Sequence, residues 1–343
     1  MVIRRLPIFF VLDVSESMVG DSHARLEEGL GRVVMHLRTD PYALETAFLS
    51  VIVFAGKAKT LQPLTELVDF NAPALPVGGG TALGAALDHL MNELDASVVR
   101  SSADRKGDWR PIVFLMTDGH PTDDAAPAIR RWQERWRGRA HLVAISVGDA
   151  ADARLLAGFA DDVLILEDVG EAGFAGCIKW ITQSISANSR PMEGGSGEFR
   201  PTELGAALTK FDVGKGPPPG SRIDDRFAVF TGRCQRSRAP YLLKFEQIAS
   251  GPTAGRFEPA GGYTLAESFF ELSDASAPAA TLSDRDLTDY PPCPNCGSLY
   301  SLSKCSCGQV HCTDGPGVYT CPWCAVTSTY ETTESLSFDR GRG

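Results

Sequence analysis

Hydrophobic and polar positions follow one rhythm up to about residue 189 and another after it. Leu6–Leu12 is an unbroken apolar run, as expected of a strand buried on both faces. Ala24–Leu37 places Leu26, Leu30, Val33, Val34 and Leu37 at helical spacing. The pattern then predicts strands at Phe48–Phe54, Pro111–Met116, His141–Val147 and Val163–Leu166, with a short antiparallel edge strand at Lys59–Gln62. Helices are predicted between them at Ala82–Leu94, Ala125–Trp136, Ala151–Phe159 and Gly173–Ile185. Such alternation implies an α/β fold, an open and mostly parallel sheet with helices on both faces. Ligands bind such sheets at the carboxyl ends of the strands, where the strand order reverses.

From Ser189 the rhythm stops. Residues 190–222 hold Gly194-Gly195, Gly214, Gly216 and Pro217-Pro218-Pro219-Gly220, and read as a linker with at most a short helix at Thr202–Leu208. Residues 223–332 read as a second, small β-rich domain, beginning with β-like runs at Phe227–Gly232 and Tyr241–Gln247. Tyr263–Leu272 suits a strand or a short helix equally, and Ser273–Asp289 reads as loop. The polar end, 333–343, reads as a disordered tail.

At 343 residues the chain has room for two domains. Its formal net charge is −10, with acidic residues in excess on both sides of residue 190, which argues against a general nucleic-acid or anionic-membrane binder. No run reaches the ~18 apolar residues of a membrane span. The apolar stretch near Met1 leads straight into Asp13 with no cleavage site, so the chain reads as cytoplasmic. Seven of the nine cysteines lie between Cys293 and Cys324, at spacings of metal ligands and not of a disulfide framework.

Three distant segments carry the first candidate chemistry: Asp13-x-Ser15-x-Ser17, Gly80-Thr81 and Thr117-Asp118-Gly119. Each is rich in small oxygen side chains and stands at the end of an apolar run or the start of a helix. Hydroxyls and two carboxylates suit a hard cation such as Mg²⁺, which takes oxygen ligands and keeps several waters. Taken singly, Asp13 and Ser17 suit helix caps, Thr81 an N-cap, and Thr117-Asp118-Gly119 a turn. Their joint presence in this order favours one metal site.

These residues resemble the metal-ion-dependent adhesion site of von Willebrand factor A (VWA) domains, over about residues 1–189. The resemblance implies Mg²⁺ or Mn²⁺ held directly by Ser15, Ser17 and Thr81, with Asp13 and Asp118 acting directly or through water. It also implies a Rossmann-like sheet of six strands with one antiparallel edge, and ligand binding in place of catalysis.

The second candidate is Cys293-Pro-Asn-Cys296 with Cys321-Pro-Trp-Cys324, enclosing Cys305-Ser-Cys307 and His311-Cys312. Paired thiolates favour tetrahedral Zn²⁺, and a segment this small needs metal to fold. One zinc could take Cys293, Cys296, Cys321 and Cys324. Two zincs could instead pair Cys293 and Cys296 with His311 or Cys312, and Cys305 and Cys307 with Cys321 and Cys324. The latter resembles RING-type ubiquitin ligases, but the close spacing of Cys307, His311 and Cys312 departs from theirs.

The VWA-like half, Phe227-x-x-Phe230-Thr-Gly-Arg-Cys234, Tyr241-Leu-Leu-Lys-Phe and the cysteine module together resemble the TerY group of bacterial tellurium-resistance proteins, with a zinc-ribbon-like C-terminal domain. The resemblance implies a non-catalytic adaptor in stress or defence signalling, with a PP2C-type phosphatase and a Ser/Thr protein kinase as partners, and an acidic residue from a partner completing the Mg²⁺ site. Rival readings are a metal-assisted hydrolase, a ubiquitin-ligase-like factor, and a nucleic-acid adaptor acting through the zinc module. The last is weakened by Lys304 being the one basic residue between Cys293 and Cys324. In Arg130–Arg139, Ile129, Trp132 and Trp136 share a helical face, so the tryptophans read as core and the arginines as a solvated face.

Overall fold

The computed structural model describes residues 4–102, 106–118, 120–148, 153–190, 199–212, 226–274, 280–331 and 337–340. The N-terminal half runs β1 (Leu6–Asp13), α1 (Asp21–Leu37), α2 (Pro41–Thr46), β2 (Ala47–Phe54), β3 (Ala58–Glu66), α3 (Leu83–Ser97), β4 (Ile112–Thr117), α4 (Ala126–Arg135), β5 (His141–Val147), α5 (Ala153–Ala157), β6 (Asp162–Leu166), α6 (Glu171–Asn188) and β7 (Thr209–Lys210). The sheet order is β3-β2-β1-β4-β5-β6-β7. Strands β2, β1, β4, β5 and β6 are parallel, and the two edges β3 and β7 are antiparallel. All eight residues of β1 and all six of β4 are buried, because helices cover both faces. One apolar core joins the sheet to α1 and α6, and the other joins it to α3, α4 and α5.

The chain leaves β1 for one side of the sheet and returns to the other at β4. The order therefore reverses between these two strands, and their carboxyl ends open the crevice that such sheets use for ligands. Asp13 ends β1 and Thr117 ends β4.

Four expectations need correction. Among the described residues the sheet has seven strands, not six, with an antiparallel strand at each edge. The seventh comes from the stretch read as linker. Residues 199–212 lie on the first domain: Phe199 stacks on His141 at 4.1 Å, Trp180 Nε1 donates to the Thr202 carbonyl at 3.1 Å, and Thr209–Lys210 pairs with β6. No helix forms at Thr202–Leu208, where Leu208 instead enters the core. The rest of the supposed linker, at 191–198 and 213–225, lies outside the described residues. Lastly, part of the supposed tail, Ser337–Arg340, is a strand, with Phe338 buried against Phe230.

Trp132 and Trp136 are core residues, as the spacing predicts. Two of the neighbouring arginines are ion-paired and not simply solvated, Arg131 to Asp88 and Arg135 to Asp95, tying α4 to α3.

The C-terminal half adds β8 (Phe227–Arg233), β9 (Pro240–Gln247), β10 (Phe257–Thr264), α7 (Ser268–Leu272), β11 (Ala280–Ser283), β12 (Tyr300–Lys304), β13 (Val310–Thr313), β14 (Gly317–Thr320), β15 (Thr327–Tyr330) and β16 (Ser337–Arg340). A five-stranded sheet, β10-β9-β8-β13-β12, is flanked by the ribbons β11-β16 and β14-β15. Tyr263–Leu272, which suited strand or helix, supplies the end of β10 and then α7. The two halves touch. Val19 packs with Val229, Leu242 and Phe269, and the Lys244 ammonium donates to the Ser17 and Val19 carbonyls at 2.5 and 3.1 Å.

Candidate metal centres

The carboxyl ends of β1 and β4 bring four of the five predicted oxygen ligands into one hydrogen-bonded chain. Asp13 accepts the Ser15 amide at 3.0 Å on one oxygen and the Thr117 hydroxyl at 2.6 Å on the other. The Ser15 and Ser17 hydroxyls are 3.0 Å apart, and Ser17 donates to Asp118 at 2.9 Å. Asp13, Ser15 and Ser17 are almost wholly buried, while Asp118 is half-buried and opens toward the surface. The fifth, Thr81, is held nearby by two cross-links. Its amide donates to the Thr122 hydroxyl at 3.0 Å, and the neighbouring Gly80 amide donates to Glu16, between Ser15 and Ser17, at 2.7 Å.

Thr81 is 1 % exposed, and its hydroxyl has no hydrogen-bond partner among the described residues. A buried, unsatisfied hydroxyl costs roughly 1–3 kcal/mol, so it calls for a partner. The capping explanation does not supply one. Helix α3 is capped from outside by Asp123, whose carboxylate accepts the Gly84 and Ala85 amides at 3.2 and 3.1 Å. Nor are Asp13 and Ser17 helix caps: the N-cap positions of the short turn Glu16–Met18 and of α1 are Ser15 and Gly20, and neither N-terminus has a side-chain cap.

Burial, aided by the charge of Asp118, raises Asp13 to about 7, and burial raises Glu16 to about 8. Acids pressed together in a dry crevice are under-neutralised, and a divalent cation is the partner that would relieve them. An orphaned hydroxyl, two serine hydroxyls and two carboxylates fit Mg²⁺ or Mn²⁺ with room for water.

In the C-terminal half eight sulfurs form two groups of four: Cys234, Cys293, Cys296 and Cys312; and Cys305, Cys307, Cys321 and Cys324. Within each group the sulfurs lie within 4.8 Å of one another. The separations Cys296–Cys312, Cys305–Cys324 and Cys307–Cys321 are 3.7, 3.8 and 3.9 Å. Thiolates about 2.3 Å from a tetrahedral zinc would stand about 3.8 Å apart, and a disulfide would need about 2.05 Å. Amides point at the sulfurs, as Gln235 N does at Cys312 (3.2 Å) and Trp323 N at Cys321 (3.4 Å). In the first group the contact with Cys312 brings Cys293 down to about 5, and the same contact, with burial, pushes Cys312 up. Four sulfurs this close cannot all ionise without a cation, and Zn²⁺ fits both groups.

The arrangement is the crossed one, with two corrections. Cys234, not counted among the ligands from the sequence, completes the first group. Its turn repeats the geometry of the two Cys-x-x-Cys knuckles. Arg238 N bonds Cys234 O at 2.9 Å, as Gly297 N bonds Cys293 O and Ala325 N bonds Cys321 O, and all three closing residues have positive φ. His311, expected as a ligand, lies outside both groups. Adjacent residues on a strand point to opposite faces, so His311 and Cys312 of β13 cannot share one cluster. The imidazole instead meets the Tyr330 hydroxyl at 2.9 Å and the Cys312 carbonyl at 3.0 Å.

With this geometry established, comparison with known proteins is direct. The family model of the von Willebrand factor type A domain matches residues 8–165, and that of the TerY-C metal binding domain matches residues 224–343. The chain joins a VWA domain to a TerY-C domain. No curated protein matches it. Among solved structures, proximal thread matrix protein 1 (PTMP1) from the mussel byssus with zinc occupied MIDAS motif is 20% identical over 54% of this chain and 48% of that one, with a TM-score of 0.40. The vWF domain of the type V pili tip protein Mfa5 from Porphyromonas gingivalis is 14% identical over 57% of this chain and 99% of its own, at 0.41. The pilus adhesin SpaC from Lactobacillus rhamnosus GG is 12% identical over 55% and 31%, at 0.44. The chain spans about half the length of the mussel protein. TM-scores this low carry no functional weight. Among the described residues no helix of this VWA–TerY-C protein is long and apolar enough to cross a membrane.

Proposed function

We propose that the protein is a non-catalytic, metal-dependent adaptor. Its VWA crevice takes Mg²⁺ or Mn²⁺ through Asp13, Ser15, Ser17, Thr81 and Asp118, and the cation accepts a carboxylate from a partner protein. The observation that carries this is the buried, unpartnered hydroxyl of Thr81 in the loop tied to the Asp13–Asp118 chain. The adaptor reading is favoured over a hydrolase because the carboxylates are already engaged. Both oxygens of Asp13 accept hydrogen bonds, and Asp118 receives the Ser17 hydroxyl. Groups held this way orient a cation and are poorly placed to shuttle protons to a substrate.

In the TerY-C domain two structural Zn²⁺ ions sit in the two four-cysteine groups. The partners proposed are a PP2C-type phosphatase and a Ser/Thr protein kinase of a bacterial tellurite-resistance or stress system, with the chain acting in the cytoplasm. The test is capture of these two enzymes by the purified chain with Mg²⁺ or EDTA, for wild type and Asp118→Ala. Retention by Mg²⁺-loaded wild type alone supports the metal bridge, and retention indifferent to metal and substitution refutes it.

A further inference from the structure

The C-terminal segment Phe269–Asp274 lies directly on the loop that carries Thr81. Ser273 Oγ accepts the Gly79 amide at 2.8 Å and donates to the Phe269 carbonyl at 2.6 Å. The Leu272 carbonyl accepts the Lys57 amide at 2.9 Å, and Asp274 N reaches the Gly79 carbonyl at 3.4 Å. Leu272 itself is buried in the VWA core. A Cβ on Gly78 would lie 2.7 Å from that of Leu272, and one on Gly56 would lie 2.2 Å from Asp274 N. At Gly56 the closest atom is this segment's own amide, and at Gly78 the segment and Ala55, whose Cβ would lie 2.6 Å away, both leave room only for glycine.

The other end of the segment rests on a zinc knuckle. Phe270 meets Trp323 edge-on at 5.6 Å, and the Arg233 guanidinium lies 5.1 Å from the first ring and 4.7 Å from the second. Arg233 is held by both oxygens of Glu267, at 2.7 and 2.8 Å. Trp323 stands between Cys321 and Cys324 and donates to the Val310 carbonyl at 2.7 Å.

We propose that Phe269–Asp274 is a strut through which the second four-cysteine group positions the Thr81 loop, so that Zn²⁺ in that group and the cation in the VWA crevice bind cooperatively. Ser273 is the positioning residue. The proposal rests on the reading of the crevice as a cation site. Its physical basis is preorganisation: a loop already fixed loses less freedom when the ion arrives. Coupling of this kind is reciprocal, so the VWA cation strengthens zinc binding by the same factor. Lys244 is a second tether, but its positive charge opposes a nearby cation, so removing it would mix two effects of opposite sign. Ser273 is neutral and isolates the positioning effect.

The experiment is Mn²⁺ titration of the full, zinc-loaded chain by electron paramagnetic resonance. Ser273→Ala is expected to weaken Mn²⁺ binding about three- to tenfold, the scale of the lost hydrogen bond from the Gly79 amide, with zinc content unchanged. Ser273→Thr, which keeps the hydroxyl, retains the wild-type affinity. Phe270→Ala cuts the strut at its other end, removing the contact with Trp323 while leaving every metal-ligand side chain in place, and Cys307→Ser empties the second zinc group. Both weaken Mn²⁺ comparably. Equal Mn²⁺ affinity in wild type, Ser273→Ala, Phe270→Ala and Cys307→Ser overturns the strut while leaving the cation site standing. A wild type that binds no Mn²⁺ overturns the cation site and the coupling with it.

Discussion

Ser17 Oγ donates to Asp118 Oδ1 at 2.9 Å, joining the loops that follow β1 and β4 across 101 positions of the chain. The contact lies where the strand order reverses, and it makes one site of two motifs that are unrelated in sequence position.

Thr81→Val removes a hydroxyl that has no partner when the cation is absent. The cation-free variant should be as stable as wild type, or more stable by about 1 kcal/mol. Stabilisation by Mg²⁺, about 2.7 kcal/mol at a hundredfold excess over Kd in wild type, should vanish. Urea unfolding of the zinc-loaded chain without added Mg²⁺ and with it measures both. A variant markedly weaker than wild type without Mg²⁺ would mean that the hydroxyl has a structural partner.

The pH dependence follows from Asp13 and Glu16, raised by burial to about 7 and about 8. Both hold their protons more tightly folded than unfolded. Their contribution to stability is complete below the ordinary carboxylate pKa and is lost as pH rises through the folded values. The cation-free protein should therefore lose stability from about pH 5 to pH 8, by at most about 1.4 kcal/mol per pH unit for each group. Mg²⁺, which favours the ionised form of Asp13, should recover most of the loss near the upper end. A denaturation midpoint of the zinc-loaded chain, without Mg²⁺, that climbs across this range would contradict the burial of these acids.

Zinc content separates Cys234 from His311. Wild type should carry two Zn²⁺ per chain, one for each group of four sulfurs. Cys234→Ser should lose one of them or bind it far more weakly, and His311→Ala should keep both. Elemental analysis after dialysis against a mild chelator decides it. Loss of zinc in His311→Ala with retention in Cys234→Ser would reverse the assignment.

The parallel sheet and the five crevice positions are legible because apolar runs mark buried strands, and the motif residues stand where those runs stop or, for Thr81, after a run of glycines. What the motif leaves open is whether Thr81 caps the helix that follows instead. That Asp123 caps the helix, and so leaves Thr81 free for a cation, depends on a contact between distant loops. The eighth sulfur of the two groups was recoverable in part. Seven clustered cysteines cannot fill two tetrahedral sites, and the alternation of β13 excludes His311 as the partner of Cys312. Finding Cys234 itself requires knowing that β8 pairs with β13. The strand Thr209–Lys210 and the strut at Phe269–Asp274 left no periodic signal, since two paired residues or one turn of helix are too short to make one.

The most direct test of the central claim is Mn²⁺ binding to the purified chain, competed with Mg²⁺, for wild type and Asp13→Ala. The expected result is one Mn²⁺ per chain, displaced by Mg²⁺ and absent in the variant, with the zinc content of both unchanged. Mn²⁺ bound equally by wild type and Asp13→Ala, or by neither, would contradict it.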